Sequence, residues 1–129
     1  MRWVLVFAGL SGALMVAFAA AGAHGVGSGN EDAAGWLETA ASIGLLHGVG
    51  LIGIVALMAR VEGCGLRGRL WLWLAVAALM AGVVLFPVIL GIRALTDWHA
   101  LAPAAPVGGS LLIAGWLCLA VFGLLWRRG

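Results

Sequence analysis

Four long apolar runs constrain this chain more than any other feature of its sequence. They cover about residues 3–22, 36–59, 70–92 and 107–126. A helix needs about 20 apolar residues to cross the hydrocarbon core of a bilayer, because each residue adds about 1.5 Å to its length. The runs therefore predict an all-α fold, an integral membrane four-helix bundle, with residues 1–129 forming a single transmembrane domain.

The composition agrees with a bilayer environment. The chain is 64% hydrophobic and 9% charged, whereas a soluble domain carries about 25% charged residues. So few charges do not cover a water-facing surface, which favours the lipid bilayer as the main partner. The cations stand at the ends of the apolar runs and form no single patch, so we expect no nucleic-acid binding.

The first run also has features of a secretory signal peptide. Arg2 supplies a positive start, and residues 19–23 supply small side chains of the kind found at cleavage sites. The run is about 19 residues long, which exceeds a usual signal core and is sufficient to span a membrane. We therefore expect the segment to be retained as the first helix.

The arginines predict how the four spans are oriented. With four spans, both termini and the second loop lie on one side of the membrane, and that side holds all the arginines but Arg93. The others are Arg2, Arg60, Arg67, Arg69, Arg127 and Arg128. Because cytoplasmic loops are enriched in Lys and Arg, we expect a multi-pass protein with both termini in the cytoplasm.

Small residues within the runs indicate where helices approach one another closely. Glycine has no side chain, so a small-xxx-small pair such as Gly44 and Gly48 allows a neighbouring backbone to come near. On these grounds we expect six glycines to pack helices together: Gly22, Gly25, Gly44, Gly48, Gly108 and Gly109.

His47 is the ionisable residue predicted to lie deepest in the membrane. A charged group is costly there, so such a residue raises a functional hypothesis by default. The structural alternative is a neutral imidazole that hydrogen-bonds across helices, for example to Ser11, Ser42, Ser110 or a carbonyl freed near Pro87. Pro87 itself removes a backbone hydrogen bond from the third run and is expected to interrupt that helix.

His24 is predicted to lie at the outer end of the first helix, where the apolar run meets a polar loop. Its structural interpretation is a helix-end residue that caps the last carbonyl groups. Its functional interpretation pairs it with Glu38 or Asp97 as an outer proton-accepting site. His24 and His47 should differ in depth by about half a span, about 15 Å, so we expect no shared metal or haem. Arg93 and Asp97 are spaced for a helix-end ion pair.

Several short motifs resemble those of a known family. They are Ala-Gly-Ala-His-Gly at 21–25, Trp-Leu-Glu-Thr-Ala at 36–40, His-Gly-Val-Gly-Leu at 47–51 and Ala-Pro-Val-Gly-Gly at 105–109. The chain thereby resembles the YgdD-like family of small four-helix bacterial inner-membrane proteins of unknown function, which is related to eukaryotic transmembrane protein 256. The resemblance implies the same fold and a location in the bacterial inner membrane.

The sequence departs from that family pattern at two places. The family usually has a Tyr-Gln pair before the second histidine, where this chain has Ser-Ile-Gly at 42–44. Its third helix usually reads Phe-Ser-Gly-Ser, where this chain has Phe-Pro-Val-Ile at 86–89. Several polar groups that would join His47 in a network in the family are therefore absent from this chain.

No nucleophile–base pair, metal motif or phosphate-binding loop is recognisable. We therefore expect no enzyme activity, no cofactor and no metal. The sequence favours a structural or accessory membrane component that packs against itself or a larger membrane complex. The alternative is a channel or transporter-like protein with a polar path near His47.

Overall fold

The computed structural model describes residues 1–25, 32–61, 65–96, 100 and 103–126. Its helices are α1 (Arg2–Ala23), α2 (Ala33–Arg60), α3 (Gly65–Val83), a π-helical turn (Val84–Val88), α4 (Ile89–Thr96) and α5 (Ala104–Leu125). Helix α3, the π-helical turn and α4 join into one continuous rod, Gly65–Thr96. Within the described ranges, four helices are therefore long and apolar enough to cross a membrane. The described ranges contain no strand, and the predicted all-α membrane fold is confirmed.

Helix α5 begins earlier than the sequence suggested. The fourth apolar run was expected to begin at about residue 107, but the helix starts at Ala104 and includes Pro106 in its first turn. Proline is tolerated there, because the first amides of a helix have no carbonyl partner within it. Pro103 occupies the position just before the helix.

Pro87 lies inside the third membrane rod, where the π-helical turn surrounds it. In an α-helix, each amide donates to the carbonyl four residues earlier. Proline has no amide hydrogen to donate, and its ring collides with that carbonyl. The wider turn over Val84–Val88 accommodates the ring, and the helix resumes as α4. The rod is therefore continuous through the proline and extends to Thr96.

Helix α1 packs along α2 through one narrow stripe. Its buried residues are Val4, Ala8, Ser11, Met15 and Phe18, which alternate in steps of four and three. That spacing keeps side chains on a single face of a helix. Only this face of α1 is buried within the chain, and its remaining surface is available to lipid or to another protein.

Glycines bring α3 and α5 into close contact. A Cβ on Gly115 would lie 2.7 Å from Leu79 side-chain atoms, and one on Gly82 would lie 3.0 Å from the carbonyl oxygen of Gly108. A Cβ on Gly108 would lie 2.6 Å from backbone atoms of Leu85 and Phe86. The two helices therefore meet backbone to backbone, as small residues permit in membrane proteins.

Candidate functional site

His47 lies near the middle of α2, about 20 Å from either end of that helix. Only 6% of the residue is exposed. Its Nδ1 is 2.7 Å from the carbonyl oxygen of Ile43, one turn earlier on the same helix. Because a carbonyl oxygen only accepts hydrogen bonds, Nδ1 must carry the proton and donate.

The structural alternative for His47, a hydrogen bond across to another helix, is wrong, because its Nδ1 donates within α2. Each candidate serine instead donates to a carbonyl on its own helix: Ser11 to Ala8, Ser42 to Glu38 and Ser110 to Pro106. The imidazole follows the same rule through Ile43. In an apolar interior, the nearest free lone pair on the same helix satisfies these donors without requiring alignment with a neighbour.

An apolar groove opens beside His47 between α2 and α5, with the π-helical turn contributing to its wall. We call it the imidazole groove; its volume is about 270 Å³. It is lined by Ile43, His47, Phe86, Gly109, Leu112, Ile113 and Trp116. The ring centroids of His47 and Trp116 are 6.0 Å apart with their planes at 63°, an edge-to-face contact. The polar groups among the lining side chains are thus the imidazole of His47 and the indole N–H of Trp116.

His24 and Glu38 lie at the other end of α2 from its arginine terminus, away from the imidazole groove. His24 follows the last residue of α1, and its backbone amide donates to the carbonyl of Ala20 at 3.0 Å. Its side chain is exposed, as is that of Glu38. Among the described residues no hydrogen bond or ion pair joins the two. Asp97, the other expected partner, lies outside the described residues.

A second groove of about 490 Å³ lies between α1 and α2 near these ends. It is lined by Ala19, Gly22, Ala23, Ala34, Gly35, Glu38, Ala41, Ser42 and Leu45. Gly22 also brings α1 close to α2, because a Cβ placed on it would lie 3.2 Å from the Cβ of Leu37. The groove contains one carboxylate and no cation, so it offers a weakly acidic, open surface.

The expected packing glycines differ in what surrounds them. A Cβ on Gly44 would overlap the Met15 side chain. A Cβ on Gly48 would lie 3.8 Å from the carbonyl oxygen of Ala8, an ordinary van der Waals contact. A Cβ on Gly109 would meet only Phe86, at 4.0 Å. The expectation for Gly25 was wrong, because no atom of the described residues lies within 4 Å of a Cβ placed on it and its φ is +68°. That residue supplies the left-handed conformation that ends α1.

Sequence reasoning missed the aromatic residues of the imidazole groove. Trp116 and Phe86 come from distant parts of the chain and follow no motif that links them to His47.

Arg93 has a different partner from Asp97, the one expected from the sequence. Its guanidinium carbon lies 4.4 Å from the centroid of the Trp36 ring, a cation–π contact, and its buried Nε has no hydrogen-bond partner. Asp97 is not among the described residues.

The chemistry that this arrangement supports is recognition. Within the described ranges, no group of three or more His, Cys, Asp or Glu residues is placed to hold a metal ion. His47 has apolar neighbours in its groove, with no hydroxyl or thiol for it to activate. With Nδ1 bonded to Ile43, the imidazole can still accept one hydrogen bond, at Nε2.

The chain is similar to known sequences over most of its length. Residues 18–109 match the family described as "Protein of unknown function (DUF423)". The "UPF0382 inner membrane protein YgdD" of Escherichia coli K12 is 33% identical over 129 residues, which covers 98% of this chain and 93% of the relative. A UPF0382 membrane protein of Staphylococcus haemolyticus is 33% identical over 122 residues, 94% of each chain. No solved structure matches.

Proposed function

The chain belongs to the DUF423 family, as its resemblance to YgdD-like proteins indicated, and from this premise we propose that this small integral membrane protein has a structural or accessory role. In this role it is not an enzyme; it associates within the membrane with a second copy or with a larger complex. As its relative in Escherichia coli is named an inner membrane protein, we assign it to the inner membrane.

The observation that carries this proposal is an unoccupied small-residue stripe on α1. Gly9, Ala13 and Ala17 follow one another at four-residue steps, and all three are exposed. A Cβ on Gly9 would meet no atom within 4 Å. We call these three residues the α1 stripe. In lipid there is no hydrophobic force between helices, so small residues that allow close backbone approach favour helix association.

The same chain uses this device internally. Gly44 admits Met15 between α1 and α2, while Gly115 brings α5 against α3 and Gly108 brings it against the π-helical turn. The α1 stripe is also made of small residues but has no partner within the described part of the chain. This contrast supports an intermolecular contact on that face of α1.

The proposal is tested with full-length protein extracted from membranes in native lipid particles and examined by native mass spectrometry. We expect the wild type to carry a second copy or a co-extracted membrane protein, and Gly9→Leu to lose that added mass. The matched control is Gly53→Leu, because Gly53 is also exposed with no atom within 4 Å of a Cβ. A lone wild-type monomer without co-extracted protein would contradict the proposal.

The orientation proposed with this role has both termini in the cytoplasm. Arg2 begins α1, Arg60 ends α2, and Arg67 and Arg69 are in the first turns of α3, so consecutive antiparallel spans collect them at one end. Arg93, near the end of α4, belongs to the opposite end. The excess of arginines supports placing the first end inside.

The channel alternative receives no support from the residues around His47. A conducting path needs a succession of polar groups or an aqueous cavity. The only polar groups on the side chains that line the imidazole groove are the imidazole of His47 and the indole N–H of Trp116, and Ser11, Ser42 and Ser110 each donate to a carbonyl on their own helix.

A further inference from the structure

The imidazole groove contains an unused hydrogen-bond acceptor. Nδ1 of His47 donates to the carbonyl of Ile43, and a neutral imidazole has only one N–H. Its other nitrogen, Nε2, therefore presents a lone pair, and no hydrogen bond in the described part of the chain uses it. The interior of a bilayer supplies no water to satisfy such a group.

This acceptor remains accessible although only 6% of the surface of His47 is exposed. Among described residues, the one fully enclosed side-chain nitrogen or oxygen without a partner is Nε of Arg93. Nε2 of His47 is therefore not sealed, and the open space beside that residue is the imidazole groove. A ligand that satisfies it must bring a hydrogen-bond donor and must come from the membrane.

The walls of the groove select the shape of that ligand. Trp116 and Phe86 present aromatic rings, and Gly109 leaves space where a side chain would stand. Aromatic rings pair favourably with other rings in stacked or edge-to-face arrangements. A cavity of about 150 Å³ already holds benzene, so a groove of about 270 Å³ accommodates one substituted six-membered ring.

The groove is open to lipid on the α5 side. Ile113 is 65% exposed and Trp116 is 40% exposed, and both lie on its rim. An apolar tail attached to the ring can therefore remain in the bilayer while the ring enters. No residue of the α1 stripe lines this groove, so this is a different surface from the one proposed for association.

We propose that the imidazole groove binds the ring of a lipid-soluble phenol or hydroquinone, whose hydroxyl donates a hydrogen bond to Nε2 of His47. The aromatic walls hold the ring, and the imidazole distinguishes a hydroxylated ring from a purely apolar one. The inference concerns binding alone and does not depend on the proposed association through α1.

The test uses the full-length protein in lipid nanodiscs with two probes that differ only at the oxygen. 4-Pentylphenol has the hydroxyl donor, and 4-pentylanisole carries a methyl ether in its place. We expect the wild type to bind the phenol at least about tenfold more tightly, the factor for one useful hydrogen bond. Ligand-observed nuclear magnetic resonance with titration gives both affinities.

Three variants separate the hydrogen bond from the shape of the groove. His47→Leu should reduce phenol affinity to that of the anisole, whereas Gly109→Leu should fill the groove and abolish binding of both. A Cβ at Gly109 lies 4.0 Å from Phe86, so this position tolerates a side chain without a backbone clash. The matched control on the same helix is Gly123→Leu, where no atom lies within 4 Å and binding should be unchanged.

A direct measurement on the wild type avoids any dependence on variants. With ¹⁵N-labelled histidine, the Nε2 resonance of His47 should shift upon addition of phenol and remain in place with anisole. Equal affinities for the two probes, or binding that survives Gly109→Leu, would overturn the proposal. An Nε2 resonance unaffected by saturating phenol would do the same.

Discussion

At the scale of the residue, the effect of a glycine depends on the atoms that a Cβ would meet. At Gly108 these are backbone atoms of Leu85 and Phe86, 2.6 Å away, which cannot move without shifting a helix. At Gly44 they belong to the side chain of Met15, which has three rotatable bonds. At Gly9 there are none within 4 Å.

Alanine substitutions at these three glycines should therefore rank by the rigidity of the neighbour. We expect Gly108→Ala to lower the free energy of unfolding by about 2–3 kcal/mol, as overpacking does in a close-packed interior. Gly44→Ala should lower it by about 1 kcal/mol or less, since Met15 can rotate away. Gly9→Ala should change it by no more than about 0.5 kcal/mol.

Reversible unfolding in mixed micelles of increasing dodecyl sulfate content, followed by circular dichroism, measures this ranking. Gly9→Ala is the internal control, because it is the same substitution at a position where a Cβ meets no described atom of its own chain within 4 Å. A loss at Gly44 as large as that at Gly108 would contradict the role assigned to backbone rigidity.

At the scale of the element, helix ends and interruptions are set by individual backbone groups. Helix α1 ends where the Gly25 amide donates to the carbonyl of Gly22 at 3.2 Å and its φ reaches +68°. The third rod is instead continued through Pro87 by the π-helical turn. In the first case glycine permits a positive φ, and in the second case proline forbids a regular α-helical hydrogen bond.

Gly25→Ala should destabilise the end of α1. A residue with a Cβ in the left-handed region is less favourable than glycine by about 1–2 kcal/mol, so we expect a loss of about 1 kcal/mol and a lower thermal midpoint. The matched control is Gly35→Ala in α2, a helical position where no atom lies within 4 Å of a Cβ. This control should be neutral or slightly stabilising, because alanine favours helix.

Thermal unfolding by circular dichroism in one detergent compares the two variants. If Gly25→Ala and Gly35→Ala had the same midpoint, the left-handed conformation at Gly25 would not be required to end the helix.

At the scale of the whole molecule, two close helix pairs are joined through α2. Helix α1 packs on α2, and α5 packs on α3, with α2 also contacting the rod at α3, the π-helical turn and α4. One buried cluster contains Leu51, Leu79 and Phe122, and another contains Met15 and Leu37. Helices α1 and α2 both contribute to both clusters, and α2 also packs along the third rod, so α2 joins the two helix pairs.

The orientation of this bundle is predicted from its arginines and can be measured with introduced cysteines. In a background lacking the native cysteines, we expect Ala34→Cys to react with a membrane-impermeant maleimide in intact cells, after the outer membrane is made permeable. Leu66→Cys should react only after lysis. Both positions are exposed at helix beginnings, on opposite ends of the bundle.

The two cysteine variants serve as controls for each other, since both must react in detergent. Labelling of Leu66→Cys but not Ala34→Cys in intact cells would reverse the proposed orientation. Such a result would show that the positive-inside rule does not govern this chain.

Most of the fold was predictable, whereas the surroundings of the candidate site were not. The four spans, the all-α class and the depth of His47 follow from run length and position along the chain. The bond from His47 to Ile43, the contact with Trp116 and the left-handed role of Gly25 did not follow. Glycines 82, 91 and 115 contact neighbouring helices closely but were not singled out.

The sequence by itself determined that this protein is a bundle of four membrane helices. A bilayer requires every backbone polar group to be satisfied within its own segment, so the length and apolarity of a run are sufficient evidence for a spanning helix. The tertiary structure alone decided that Phe86, Gly109 and Trp116 surround His47 and leave its Nε2 an acceptor. Contacts of this kind depend on the rotation and relative depth of separate helices, which no local pattern of residues specifies.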